Sequence, residues 1–152
     1  MIPFYAELLN RLRMHHDEIE TAIAALPQEA LDWKPEPAMN SITVLAVHIA
    51  GAERFLIGDI VKRESSKRDR PAEFKAAGLD AATLMKRLRE SEAYLESALE
   101  TLNLADLSDT RQDPRDGSQV AVSWAVLHAL EHTAMHNGQI QDLRQLYQDR
   151  IR

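Results

Sequence analysis

Histidines recur at four-residue steps in WAVLHALEHTAMHNGQI, at His128, His132 and His136. Four residues along an α-helix return to nearly the same face, so these imidazoles share one side of a helix. The seam through Ala125, His128/Ala129, His132, Met135/His136, Gln139/Ile140, Leu143 and Leu146/Tyr147 makes that side the one expected to face a core. Two neutral imidazoles buried side by side each need a donor and an acceptor satisfied away from water, whereas one divalent cation satisfies both. The spacing predicts a metal site.

A third ligand comes from SITVLAVHIAGAERFLIGDIV. Its apolar stripe runs through Ile42, Leu45, Ile49, Ala52, Leu56 and Ile60, and His48 flanks that stripe. His48, His132 and His136 then give three nitrogen ligands from two helices, the number a catalytic zinc-type site uses while leaving positions open for water or substrate. Zinc, nickel, iron and manganese all accept imidazole, so the expected cofactor is a divalent metal ion whose identity the ligands do not select.

The other polar residues are read against this trio. His128-Ala-Leu-Glu131-His132 matches H-x-x-E-H, a zinc-protease pattern, but that chemistry needs a further acidic ligand downstream and no glutamate follows Glu131. Glu131 therefore reads as an exposed or interfacial carboxylate. His15 on the stripe of the first helix and His128 one turn from His132 suit supporting or core roles. His16 reads as solvated, and Trp33 and Trp124 as packing residues. Glu131, Glu53 and His128 are the candidates for a general acid or base, and none declares itself.

Composition narrows the function. With 152 residues, 45% of them hydrophobic, the chain reads as one domain over 1–152 able to bury a core. It has no cysteine, so any thiol in its chemistry must come from a cosubstrate. A net charge of −6 argues against a nucleic-acid partner. The one basic stretch, KRESSKRDR over 62–70, reads as a solvated connection, with an anion-binding rim as the sharper alternative. No apolar run approaches a membrane span or a signal peptide, so a cytoplasmic protein is expected.

Four helical patterns must position the ligands. The first runs from Pro3 to Leu26, ahead of Pro27. A proline-rich, mostly irregular connection leads to a second helix over roughly 41–63, capped by Asn40 or Ser41. Asp80 caps the third, which carries Leu84, Leu88, Leu95, Leu99 and Leu102; the fourth spans about 120–149. No stretch alternates with period two for long enough to build a sheet. The expectation is an all-α antiparallel four-helix bundle whose connections between helices 1 and 2 and between 2 and 3 are long, so that simple up-down-up-down order is not forced.

The segments WKPEPAMNSITVLAVHIAGAE and DGSQVAVSWAVLHALEHTAMHNGQI resemble the two halves of the DinB/YfiT-like superfamily signature, and the resemblance covers nearly the whole chain. It implies that fold and the same metal ligands, His48, His132 and His136. Asn137 departs from it, since many members carry arginine there. Characterised relatives include bacillithiol S-transferases and mycothiol-dependent isomerases. The resemblance thus implies a cytosolic metal-dependent enzyme of the transferase or hydrolase type, acting on a small-molecule substrate with a low-molecular-weight thiol as cosubstrate, and commonly a homodimer. A non-catalytic, metal-stabilised stress-response binding module is the alternative.

Overall fold

Two of the long helices begin at a side-chain cap and one at a proline. In the computed structural model, which describes residues 1–150, helix α1 spans Pro3–Ile23, with its proline in the first turn where a missing N–H costs nothing. A short helix α2, Gln28–Asp32, lies inside the connection expected to be irregular. Helix α3, Ile42–Glu53, is capped by Ser41, whose Oγ accepts from the Val44 N–H at 3.2 Å. It continues as a π-helix over Arg54–Lys62, so the helix expected over 41–63 is continuous but changes winding halfway. The wider turn carries Phe55, Leu56, Ile57, Ile60 and Val61 all into the core.

A four-residue helix α4, Arg70–Glu73, interrupts the charged connection. Helix α5, Ala81–Glu100, starts at Asp80, whose carboxylate accepts from the Thr83 N–H at 2.8 Å. A 3-10 turn at Leu104–Ser108 follows. Strands β1, Thr110–Gln112, and β2, Gln119–Ala121, then pair antiparallel with Arg111 opposite Val120. This hairpin departs from the all-helical expectation. Its strands are three residues each, too short for a period-two signal, and its turn depends on Gly117, whose φ of 77° favours glycine. Helix α6, Val122–Arg150, closes the bundle.

Two apolar clusters define the direction of every helix. One end of the bundle gathers Tyr5 to Leu12 of α1, Phe55 to Val61 of the π-helix, Leu95 to Leu102 and Val122 to Ala129. The other gathers Ile19 and Ile23, Ile42 to Ile49, Leu84 and Leu88, and Ile140 and Leu143. Hence α1 and α6 run one way and α3 and α5 the other. Helix α1 packs on α5 and α6, and α3 packs on the same two, so α1 and α3 are diagonal. The order is up-down-down-up, and residues 63–80 must return along the bundle between α3 and α5.

Between the two clusters lies a polar layer centred on Glu53, which is fully buried. Its Oε1 accepts from Thr133 Oγ1 at 2.8 Å and meets His16 Nε2 at 2.8 Å, while its Oε2 accepts from Ser91 Oγ at 2.7 Å. One group from each of the four long helices meets there. His16, expected to be solvated, is in fact 1% exposed. Residues 15 and 16 both fit the spacing between Leu12 and Ile19, and the carboxylate waiting on α3 selects His16.

Candidate metal centre

Helices α3 and α6 bring the predicted trio together. His132 Nε2 lies 3.0 Å from His48 Nε2 and 3.2 Å from His136 Nε2. The donor atoms of all three lie within 4.8 Å of one another. Imidazole nitrogens that each sit about 2.0–2.1 Å from one tetrahedral ion are roughly 3.3 Å apart, so the two short separations suit ligands of a shared cation.

Tautomers support the same reading. His48 Nδ1 lies 2.8 Å from Glu73 Oε2 and donates to it, which leaves Nε2 as a lone pair. His136 Nδ1 donates to Gln139 Oε1 at 2.7 Å, with the same result. His132 Nε2 faces both lone pairs, and a single N–H cannot serve two acceptors. Its Nδ1 is buried with no partner among the described residues. A cation at the centre resolves the conflict between the three facing nitrogens. Burial, reinforced by the neighbouring imidazoles, pushes His132 down to about 3, and burial also lowers His136, which favours the neutral form that could ligate a metal.

Glu73 is the residue that sequence reasoning missed. It sits in a helix too short to announce itself, 25 positions from His48, and orients that ligand from behind. Arg68 clamps it in turn, Nε to Oε1 at 2.6 Å and Nη2 to Oε2 at 2.8 Å. Burial alone would raise the Glu73 carboxyl, but Arg68 and His48 together hold it below its usual range. Gly51 makes the approach possible, because a methyl there would overlap the Glu73 carboxylate, 2.8 Å from Cδ. Glu73→Gln and Gly51→Ala should each weaken divalent metal binding by about 10–100-fold, measured by competition with a chromophoric chelator. Unchanged affinity in both would show that the brace does not act on the metal.

The remaining candidates separate clearly. His128 lines the cleft beside His132, is about one-third exposed, and lies 3.2 Å through Nδ1 from the exposed carboxylate of Glu131. Trp124, expected to pack inside, is 43% exposed and stacks on His128 at 4.8 Å. Its place at the start of α6 faces the cleft mouth, where an aromatic ring is useful without being buried. Trp33 does pack, against the second cluster and edge-on to Tyr147. His15 stays away from the trio, 3.1 Å from Asn137 Nδ2. Asn137 donates to Glu18 Oε2, so it ties α6 to α1. Glu53 is enclosed and fully engaged, which removes it as a general acid or base.

The cleft lined by His48, His132 and His128 holds about 180 Å³ and is bounded on its apolar side by Ala52, Phe55 and Leu56. A wider surface depression of about 660 Å³, also lined by Arg68, contains none of the three histidines. Convergent donors mark the smaller cleft as the chemical site.

The fold and the trio define a helical bundle with a candidate three-histidine metal centre. The family model of the DinB superfamily matches residues 11–140, and the chain belongs to that superfamily. Similar solved structures include a conserved protein from Enterococcus faecalis, with a TM-score of 0.80 at 20% identity, covering 96% of this chain and 98% of that one. A DinB-like protein from Bacillus cereus ATCC 10987 aligns with a TM-score of 0.73 at 18% identity, over 92% and 90% of the two chains. The DinB-like protein YjoA of Bacillus subtilis gives 0.68 at 16% identity, over 92% and 91%. At these identities the likeness concerns the fold. No curated protein matches the chain. Among the described residues no helix is long and apolar enough to cross a membrane.

Proposed function

We propose that this protein is a cytosolic metal-dependent enzyme of the transferase or hydrolase type, acting on a small molecule with a low-molecular-weight thiol as the favoured cosubstrate. The observation that carries the reading is a group of three mutually facing imidazole nitrogens, two of which, on His48 and His132, line a cleft. A divalent ion held by three neutral ligands keeps its full charge, so it eases loss of a proton from a bound water or thiol and polarises a carbonyl.

The chain's own residues do the rest. Glu73 and Gln139 keep the protons of His48 and His136 on Nδ1, so that Nε2 is presented for ligation. Ala52, Phe55 and Leu56 exclude water from one side of the cleft. His128, steadied by Trp124 and Glu131, is the group at the mouth able to accept or return a proton. With no cysteine in the chain, a thiol nucleophile has to be brought in.

The cobalt-substituted protein tests the reading. A panel of small thiols should shift its visible spectrum by occupying a position on the metal. No shift with any thiol, while water still exchanges, would replace thiol transfer by hydrolysis. A metal closed to both would leave the non-catalytic module.

A further inference from the structure

Three arginines line the metal cleft, and no acidic side chain among the described residues lines it with them. Arg68 commits Nε and Nη2 to Glu73. Arg115, carried by the hairpin turn, commits Nε and Nη2 to Asp113 at 3.0 and 2.5 Å, and Asp113 is itself 2% exposed. In both arginines Nη1 has no acceptor among the described residues, and Arg70 has none on any nitrogen. The groups are close together. The guanidinium carbons of Arg68 and Arg115 lie 5.5 and 4.8 Å from the centroid of the same Phe55 ring. That of Arg70 lies 4.8 Å over Phe74, whose ring is 4.8 Å from the His48 imidazole.

Two of the three forks are therefore held from behind by carboxylates while their outer nitrogens stay unpaired. Bidentate pairing of that kind fixes a guanidinium in place, so a ligand that binds it loses little further side-chain freedom. Glu73 and Asp113 offset two of the three charges, so the cleft offers an anion the uncompensated charge of Arg70 and the remaining N–H groups of Arg68 and Arg115. This arrangement also explains part of the basic stretch over 62–70, which supplies Arg68 and Arg70.

We propose that the cleft is an oxyanion site: the substrate of this centre is a small molecule whose carboxylate or phosphate rests on the free nitrogens of Arg68, Arg70 and Arg115, beside the three imidazoles. Its metal chemistry rests on the function proposed above, but the anion site does not. A space of about 180 Å³ is below the ~300–1,000 Å³ of a pocket for a whole drug-sized ligand, so it takes the anionic head while the remainder passes outward along Trp124.

The test is calorimetric titration of inorganic phosphate and of succinate, at fixed ionic strength, into zinc-loaded and metal-free protein. The comparison is with an Arg70→Gln, Arg115→Gln variant, two exposed positions whose replacement leaves the Glu73 brace intact. The variant should keep its zinc content and helical signal and lose about tenfold or more in affinity for the tighter anion. Whichever anion binds more tightly names the class, phosphate or carboxylate. Affinity within about twofold of the parent would assign binding to the metal alone and overturn the proposal, as would no binding of either anion to the parent. If the protein takes up no zinc, the metal reading fails. The metal-free parent should then still bind the anion, and the variant should still lose it.

Discussion

Replacing His132 and His136 together with alanine should abolish stoichiometric divalent metal in the purified protein. Structural zinc sites bind with roughly 10–16 kcal/mol, which spread over four ligands is several kcal/mol each, so losing two of the three protein ligands should weaken binding by about ten-thousandfold or more. Metal analysis after exposure to micromolar zinc reads this directly. His15→Ala is the control, because His15 contacts Asn137 and not the trio, and it should retain full metal. The bundle should stay helical in the double variant and after chelation, since both apolar clusters form without any of the three histidines. Its melting temperature should fall on chelation, because metal that binds only the folded state stabilises it. Full metal in the double variant would sink the assignment, and loss of all helical signal on chelation would make the site structural.

Glu53→Gln should be the most destabilising polar substitution in the core. The carboxylate is fully buried and takes three partners, from α1, α5 and α6, and removing one member of a buried pair leaves the other uncompensated at a cost of about 3–5 kcal/mol. For a domain of this size that corresponds to a fall in melting temperature of roughly 6–20 °C. The pair also sets a pH dependence. Burial alone would lower His16, but the Glu53 carboxylate, helped by Glu92 and Glu20, outweighs it and raises His16 above its usual value. A raised folded pKa adds stability that is complete below the unfolded value of about 6.5 and is lost as pH climbs through the folded value. Denaturant midpoints of the parent should therefore decline on the alkaline side, and the Glu53→Gln profile should be flatter there. Equal midpoints for both proteins, unchanged between about pH 6 and 9, would remove the ion pair from the account.

The helices, their starts and the histidines that come together were legible in the chain because each is a local property. Ser41 and Asp80 cap where they are expected to, and four-residue spacing places His132 and His136 on one face whatever that face meets. His48 could be added because its own helix carries a clear apolar stripe with the histidine at its edge. The same reasoning stopped wherever the answer lay on another element. Periodicity placed His15 on the stripe and His16 in solvent, whereas the structure buries His16 against Glu53 on α3. Trp124 fits an apolar stripe, yet its ring lines the cleft beside His128 while its neighbours Ala125 and Val126 take the buried face of α6.

Helix direction and neighbourhood belong to the same class. Two connections long enough to cross the bundle leave the order open, and the partition of the core into two clusters settles it as up-down-down-up. Glu73, Arg68, Arg70 and Arg115 come from a charged connection and a hairpin turn, segments with no period from which a facing direction could be read. A single chain states which side of each element avoids water. Which sides then meet depends on how the elements pack, and in this protein that packing brings the Glu73 brace, the arginines and the buried Glu53 layer to their places around the histidines.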